Sequence, residues 1–535
     1  MGSSLPSSAA SSYNSVLDFK SISTGGWIVQ KFGGTSVGKF PENIVDDIVK
    51  EYSKSHRVAV VCSARSSNTK SEGTTSRLLR SADLATEMGD YDSLLKVIED
   101  DHVNNAKEKV KDSNLQNKLI EDSKSEVARA KELLHASQII GEISPRTLDS
   151  LMSVGEKLSC LFIAALMKDH GLNSAYVDLS HIIPLDYDIS KGFDDSFYSF
   201  LVGELAKIAL SQGEDVIPVF TGYFGVVPGG LLNGIGRGYT DLCAALIAVG
   251  VQADELQIWK EVDGIFTADP RKVPKARLLD SVTPDEAAEL TYYGSEVIHP
   301  FTMEQVIKAK IPIRIKNVIK PSGKGTIIYP DNIGRRGEAT PPHPPAAYET
   351  LPNSYIQTHK KRSATAITAK QNIVVINVHS NKKTLSHGFL AHIFTTLDKY
   401  RLVVDLISTS EVHVSMAMQL QSEEEHNLKE ALKDLRKMGT VDVTREMTIV
   451  SLVGKQMVNF IGIAGNMFKV LADERINIEM ISQGANEINI SAVINANDTI
   501  RALQSIHAKL LEGNFGFEET ASATDIRLSA LKAQS

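Results

Sequence analysis

The last third of the chain repeats itself. Gly388-Phe389-Leu390-Ala391-His392-Ile393-Phe394, with Leu397, Asp405, Ile407 and Ser408, is echoed at unchanged spacing by Gly462, Met467, Phe468, Leu471, Glu479, Ile481 and Ser482. An apolar run precedes each copy (Ile373 to Val378; Thr448 to Val453) and an alternating one follows it (Val412 to Met418; Ile488 to Val493). The apolar period passes from two to 3.6 and back to two, so each copy predicts strand, helix, strand, strand. Two such β-α-β-β units predict a pair of ferredoxin-like α+β modules.

The first 330 residues follow a different pattern. Trp27 to Phe32 is a short apolar run, then come Gly33-Gly34-Thr35-Ser36 and a helical spacing through Ile44, Val45, Ile48 and Val49. That order is strand, glycine loop, helix. Further strand candidates are Val58 to Cys62, Val216 to Phe220, Leu256 to Trp259, Ile311 to Ile315 and Thr326 to Tyr329, with long helical patterns between several of them. Alternation of this kind predicts an α/β sandwich on a mostly parallel sheet. Between the two regions lie Pro341-Pro342-His343-Pro344-Pro345 and His359-Lys360-Lys361-Arg362, which read as a linker. The expected divisions are a serine-rich disordered leader over 1–25, the α/β domain over 26–330, the linker over 331–365, the two modules over 366–445 and 446–520, and a tail over 521–535.

Composition narrows the function classes. At 535 residues the chain exceeds one hydrophobic core, and a net charge of -8 offers no concentrated basic surface for nucleic acid or an anionic membrane. Cys62, Cys160 and Cys243 are widely spaced, which predicts neither a disulfide scaffold nor a zinc site and fits a reducing cytoplasm. No apolar run approaches the ~20 residues of a membrane span. The histidines, among them His299, His387 and His392, show no convergent ligand spacing, so no metal site is predicted.

Three glycine-bearing clusters carry the chemistry. Gly33-Gly34, between a strand and a helix, lets backbone N–H groups approach a phosphate, and Lys31 at the strand end can place an ammonium on a transferring phosphoryl group. Alone the loop is weak, because it matches neither nucleotide-binding glycine motif and short glycine loops are as often structural. In Gly234-Ile235-Gly236-Arg237-Gly238-Tyr239-Thr240-Asp241, Arg237 offers a planar fork to a carboxylate and Asp241 can orient a lysine; the plainer reading is a turn with a helix cap. Trp259-Lys260-Glu261-Val262-Asp263-Gly264-Ile265-Phe266-Thr267-Ala268-Asp269-Pro270-Arg271 follows a strand as a nucleotide-binding edge would, or as two ordinary turns.

With Gly155-Glu156-Lys157-Leu158-Ser159 and Val297-Ile298-His299-Pro300, these clusters stand in the order found in aspartate kinases, and the chain resembles the fungal members of that family from about Trp27 into the C-terminal region. The resemblance implies an amino-acid-kinase fold, a three-layer α/β/α sandwich, followed by two ACT domains. It implies ATP-dependent phosphorylation of the L-aspartate β-carboxylate to 4-phospho-L-aspartate with Mg²⁺, the first step towards threonine, methionine and isoleucine. It assigns Lys31 and Asp241 to catalysis, with Asp241 holding Lys31. Thr75, Glu156, Arg237 and Thr240 fall to aspartate, Glu156 taking the ammonium and Arg237 the α-carboxylate. Gly33, Gly34, Ser36, Lys260, Glu261, Phe266 and Arg271 fall to ATP. Glu296 stands where the family commonly has a lysine, and Lys260 and Arg271 both remain candidates for the missing cation.

The repeat is expected to hold an amino-acid effector, with threonine indicated by the fungal resemblance. Ser386, Gly388, Phe389 and Leu390 open a helix whose N–H groups suit a carboxylate, and Asp405 suits an ammonium. Thr409 and Ser410 lie beside them, and Gln483 and Asn489 of the second copy would join through pairing of two chains, making a homo-oligomer of at least two chains the functional unit. Two other readings stay open here: a different amino-acid kinase, such as an acetylglutamate or glutamate kinase, and a catalytically inactive amino-acid sensor. Phe394 and Phe468 are expected in the core.

Overall fold

The computed structural model describes residues 25–66, 72–184, 187, 192–225, 227, 230–236, 238–292, 298, 300–329, 364–380, 388–410, 413–421, 424–459, 461–484 and 488–512. They form two compact units, one from the residues up to 264 and from 298 to 329, the other from 265–292 and 364–512.

The first unit is built on the strands β1 (Trp27–Phe32), β2 (Arg57–Cys62), β3 (Ser174–Val177), β4 (Ile217–Thr221), β5 (Glu255–Lys260), β6 (Ile313–Asn317) and β7 (Thr326–Ile328). Their spatial order is β3-β4-β2-β1-β5-β6-β7. Every neighbouring pair is parallel except β6 with β7. Continuous apolar runs, instead of alternating ones, mark strands covered on both faces, and all six residues of β1 are buried. Within that layer a polar row runs across the sheet: Gln30 donates to Gln257 (3.0 Å), Gln257 to Glu255 (2.8 Å) and Arg314 to Glu255 (2.7 Å).

Helix α1 (Gly34–Lys39) follows β1 directly, and α2 (Thr74–Thr86), α3 (Asp92–Lys109), α4 (Ser113–Ile140), α5 (Pro145–Asp169), α6 (Asp195–Ser211) and α7 (Tyr239–Gly250) are the main further helices of this unit. Three of them start where the sequence supplies a cap. Asp112 accepts from the N–H groups of Asn114 and Leu115, Ser144 from Thr147 ahead of Pro145, and Asp194 from Ser196 and Phe197. The expected helix at Ile44 to Val49 is present but wound as a π-helix over Asn43–Val49.

One expectation needs correcting. Helix α5 is long and apolar enough to cross a membrane, yet most of it is buried within the first unit. Leu151, Met152, Val154 and Leu158 pack with Leu78, Leu95 and Leu134, whereas Phe162, Ile163 and Leu166 pack with Ile44, Val60 and Val219. Its length thus serves to join two cores.

In the second unit β8 (Ala366–Ser380), β9 (Leu406–Thr409), β10 (His413–Gln419), β11 (Gly439–Val453), β12 (Met480–Gln483) and β13 (Asn489–Asn495) form an antiparallel sheet in the order β9-β10-β8-β11-β13-β12. Helices α8 (Phe389–Lys399) and α10 (Ile463–Asp473) occupy equivalent places in the two copies, and each starts after a glycine in the left-handed region, Gly388 at φ 86° and Gly462 at φ 83°. A helix α9 (Glu425–Leu435) completes the first copy and α11 (Thr499–Ile506) the second.

The copies exchange strands. Residues 366–370 of β8 register against 449–453 of β11, whereas 375–380 register against 439–444. Both long strands break where they pass from one copy to the other, at Asn372 (φ 59°) and Glu446 (φ 58°), and the register shifts there. Each copy therefore contains a strand segment that the chain supplies next to the other copy. Phe394 is 43% exposed, not core, because the core side of α8 is taken by Ile393 and Leu397; Phe468 packs partly buried against the second core.

Residues 265–292 belong to this unit by their contacts. Ala268 and Val273 sit in the core with Ile463, Met467, Leu503 and Ile506, and Thr267 Oγ1 lies 2.8 Å from His507 Nε2. The buried Glu286 carboxylate accepts from Thr283, from Thr365 Oγ1 (2.7 Å) and from the Lys455 N–H (2.9 Å). Lys370 Nζ stands 4.7 Å from the centre of the Tyr292 ring and 2.6 Å from Asp405 Oδ1. Asp405 is 4% and Lys370 13% exposed at the side chain, so removing the cation alone strands a buried anion. Lys370→Met is expected to cost about 3–5 kcal/mol in chemical denaturation of the second unit, and Lys370→Met with Asp405→Leu is expected to recover most of that loss.

Candidate active site

The parallel strands end along one edge of the first sheet, where α/β folds place their ligands, and the charged residues of the sequence motifs collect there. Lys31, the fifth residue of β1, is 9% exposed and its Nζ lies 2.6 Å from Asp241 Oδ1 in the first turn of α7. Charge holds this pair more than hydrogen-bond alignment, since Oδ1 has no aligned donor. Thr240, one residue earlier, donates from Oγ1 to Glu156 Oε1 at 2.7 Å. Thr240 is pressed over Gly222, where an added Cβ would lie 2.4 Å from its methyl group, so a glycine after β4 seats α7 at the required height.

Glu156 comes from the middle of α5 and is 2% exposed. Burial pushes its carboxyl up to about 7, against the opposing pull of the Thr240 and Tyr239 hydroxyls, the Tyr223 backbone and the Lys31 ammonium. Among the described residues no donor is well aligned on Oε2. A buried carboxylate with one oxygen open is a socket for a cation. Two helical turns upstream on the same face, Asp149 accepts from the Leu231 N–H and so fixes the start of the 231–234 helix. Arg237 itself, with Glu296 and His299, lies outside the described residues.

On the other side of Lys31 the glycine loop divides its work. A Cβ on Gly34 would stand 2.1 Å from the Ala64 carbonyl oxygen, so this glycine permits close backbone packing. A Cβ on Gly33 would meet nothing within 4 Å, so its backbone faces open space. Ser36 is fully buried and its Oγ donates to Glu261 Oε1 at 2.7 Å, which ties α1 to the residue after β5. Because β1 and β5 are parallel neighbours with Phe32 opposite Trp259, Lys260 ends at the same edge as Lys31. Thr75 is half-buried in the first turn of α2.

Phe266 and Arg271 fall in the second unit. Phe266 bridges to Leu278, and the Arg271 side chain, 88% exposed, is gripped at two points by Asp269, both at 3.0 Å. Of the proposed effector residues, Ser386 lies outside the described residues. Gly388, Phe389 and Leu390 open α8, with Leu390 43% exposed. Thr409 is exposed at the end of β9, and Ser410 closes a tight turn in which its Oγ accepts from the His413 N–H at 3.2 Å. Gln483 is exposed, and Asn489 donates to Glu289. Asp405 is committed to Lys370 and to the Gln419 N–H (2.8 Å).

Tyr239 stands in the Gly234–Asp241 motif without an assigned role, and sequence reasoning missed Tyr223 and Asp149 on the Glu156 side and a cluster of Arg65, Asp101, His102 and Asn105. None of them carries a local signature, since each is brought in by a strand or helix distant in sequence. Among the described residues all three cysteines are free and buried, and no group of three or more histidine, cysteine, aspartate or glutamate side chains could hold a metal ion.

Comparison with known proteins gives the family. Residues 26–317 match the amino acid kinase family and residues 450–510 the ACT domain. The aspartokinase of Candida albicans is 75% identical, the match covering 98% of this chain and 99% of that protein. The chain belongs to the aspartokinases, within the amino acid kinase family. The aspartokinase of Saccharomyces cerevisiae is 63% identical over 96% of this chain and 99% of its own length. Among solved structures, E. coli aspartokinase III in complex with aspartate and ADP superposes with a TM-score of 0.68 at 24% identity, covering 90% of this chain and 99% of that one, which supports the common fold. The chain is thus an enzyme, an aspartate kinase with an amino-acid-kinase domain and a C-terminal ACT region.

The two glycines give a direct check on the loop. Gly34→Ala is expected to lower stability by about 1–3 kcal/mol because backbone must move, whereas Gly33→Ala, at φ -72°, should stay within about 0.5 kcal/mol of the parent in thermal or chemical denaturation.

Proposed function

We propose that this aspartokinase transfers the γ-phosphoryl group of ATP to the β-carboxylate of L-aspartate, giving 4-phospho-L-aspartate. The observation that carries this reading is the open, buried Oε2 of Glu156 beside the Lys31–Asp241 pair. The aspartate ammonium would complete Glu156, with Thr240 and Thr75 as hydroxyl contacts and Arg237 as the bidentate clamp on the α-carboxylate. A β-carboxylate is already ionised at pH 7, so the nucleophile needs no base. Catalysis then consists of orientation and charge neutralisation. Lys31, steered by Asp241, would meet the transferring phosphoryl group, and Gly33, Gly34 and Ser36 would face the phosphates. Lys260, Glu261, Phe266 and Arg271 are proposed for the nucleotide.

Mg²⁺ fits this donor set as an ion carried chiefly by the nucleotide phosphates and water, since among the described residues no ready-made cluster of three protein ligands exists. When bound, it would neutralise developing phosphate charge. The product would enter the route to threonine, methionine and isoleucine in the cytoplasm. The ACT region would bind an amino-acid effector, threonine by resemblance to the fungal enzymes, in a homo-oligomer of at least two chains.

The Glu156 environment sets a pH test. In the free enzyme its carboxyl is half-protonated at about pH 7, and the protonated form cannot pair with an ammonium. The kcat/KM for aspartate should therefore rise through pH 7 to a plateau and fall roughly tenfold per pH unit on the acid side. Glu156→Gln should raise KM for aspartate and flatten that limb; an unchanged limb in the variant would assign it to another group. For regulation, initial rates with threonine, lysine or methionine added singly should show inhibition by threonine at millimolar levels, and inhibition by lysine or methionine alone would overturn the effector assignment.

A further inference from the structure

The loop residues that follow β2 touch three segments of the first unit's candidate site: the glycine loop, the turn bearing Thr75 and the helical turn before Glu156. The Ser66 N–H donates to the Gly34 carbonyl at 3.0 Å, which joins the loop to the phosphate side. The Thr74 N–H donates to the Arg65 carbonyl at 3.1 Å, which joins it to the turn bearing Thr75. A Cβ on Gly155 would lie 2.9 Å from Ala64 Cβ and 3.2 Å from Thr74 Cγ2, so the residue before Glu156 is packed on the same loop.

The loop is anchored in an unusual way. Arg65 is 7% exposed, and its guanidinium is ion-paired with Asp101 and donates to Asn105 Oδ1 at 3.3 Å, both on α3. Between them on that helix His102, 3% exposed, stands 3.3 Å from Thr74 Oγ1. Burial, with Arg65 and Arg77 nearby, holds His102 neutral by driving its pKa down to about 3, which leaves Asp101 to balance Arg65. Arg65 Nε and Asn105 Nδ2 are buried without partners. Apolar side chains would anchor a loop at less cost, so a buried ionic cluster with unpaired donors points to a demand for exact placement.

We propose that Arg65, directed by Asp101 and Asn105, is a positioning residue for the aspartate-binding turn at Thr74–Thr75. This rests on the reading that Thr75 faces aspartate. The cluster bears on that side through the Arg65 carbonyl, His102 and the Gly155 contact, and on the phosphate side only through Ser66 and Ala64 backbone. Its loss should therefore weaken aspartate far more than ATP.

The test is steady-state kinetics of the full-length enzyme. Asp101→Asn, at a side chain 29% exposed, is expected to raise KM for aspartate about tenfold while kcat and KM for ATP stay within about twofold. Arg65→Lys, which keeps the charge but loses the fork, should give an intermediate KM. An unchanged KM for aspartate in both variants overturns the proposal. So does a joint fall of kcat and melting temperature with a rise of both KM values, which would mark the cluster as structural only. Thr75→Val separates this proposal from the reading beneath it. If Thr75→Val leaves KM for aspartate unaltered, both fail. If it raises KM and its effect multiplies fully with that of Asp101→Asn, the aspartate reading stands and the positioning role falls; an effect in the double variant smaller than the product supports it.

Discussion

The site is built around an imbalance of charge. Among the described residues Lys31, Asp241 and Glu156 bring one cation and two carboxylates to a largely buried edge of the sheet, and Lys31 pairs with Asp241. Burying an uncompensated carboxylate is expensive, which is why the Glu156 carboxyl is pushed up to about 7. A cation placed at Oε2 would remove that penalty. The fold carries the cost because helix α5 is locked between two cores along its whole length. Everything that touches the substrate end then has to be positioned against this helix, as Thr240, Asp241 and the Ala64 loop are.

One sequence motif is divided between the two units. The motif from Trp259 to Arg271 begins on β5 in the first unit and ends among the core residues of the second, where Ala268 and Val273 pack with Met467 and Leu503. The segment is then fastened by buried polar groups: Glu286 to Thr365 and Lys455, Thr267 to His507, Glu289 to Asn489. The left-handed breaks at Asn372 and Glu446 mark where β8 and β11 change register, and a non-glycine residue persists at positive φ only when its surroundings over-determine it.

Much of this was legible in residue order, for an identifiable reason. Buried parallel strands announce themselves as unbroken apolar runs, so β1, β2, β4, β5 and β6 were visible, whereas Ser174–Val177 was not, being four residues with only its ends buried. The repeat revealed two modules but concealed their strand exchange, since similarity along the chain carries no information on which half of a fifteen-residue strand pairs with which neighbour. Phe394 was misread because helical spacing gives the apolar stripe its direction but not its width, and Ile393 with Leu397 already fills the module's core. The resemblance named Glu156 and Asp241 without the environment that surrounds them. Burial, the neighbouring tyrosines and the open Oε2 are properties of packing.

The same distinction explains what a short motif can and cannot specify. Gly33 and Gly34 are adjacent and chemically identical, yet one leaves space in front of the backbone and the other admits the carbonyl of Ala64. The second role exists only because the β2–α2 loop is held at that height by Arg65 and α3, elements outside every recognisable motif. Motif residues supply the charges and hydroxyls proposed to meet the ligands. Their relative placement is set one layer below, by buried ion pairs and glycine contacts whose partners lie tens to hundreds of residues away, and that layer is where substitutions should alter KM without touching any atom of the substrate.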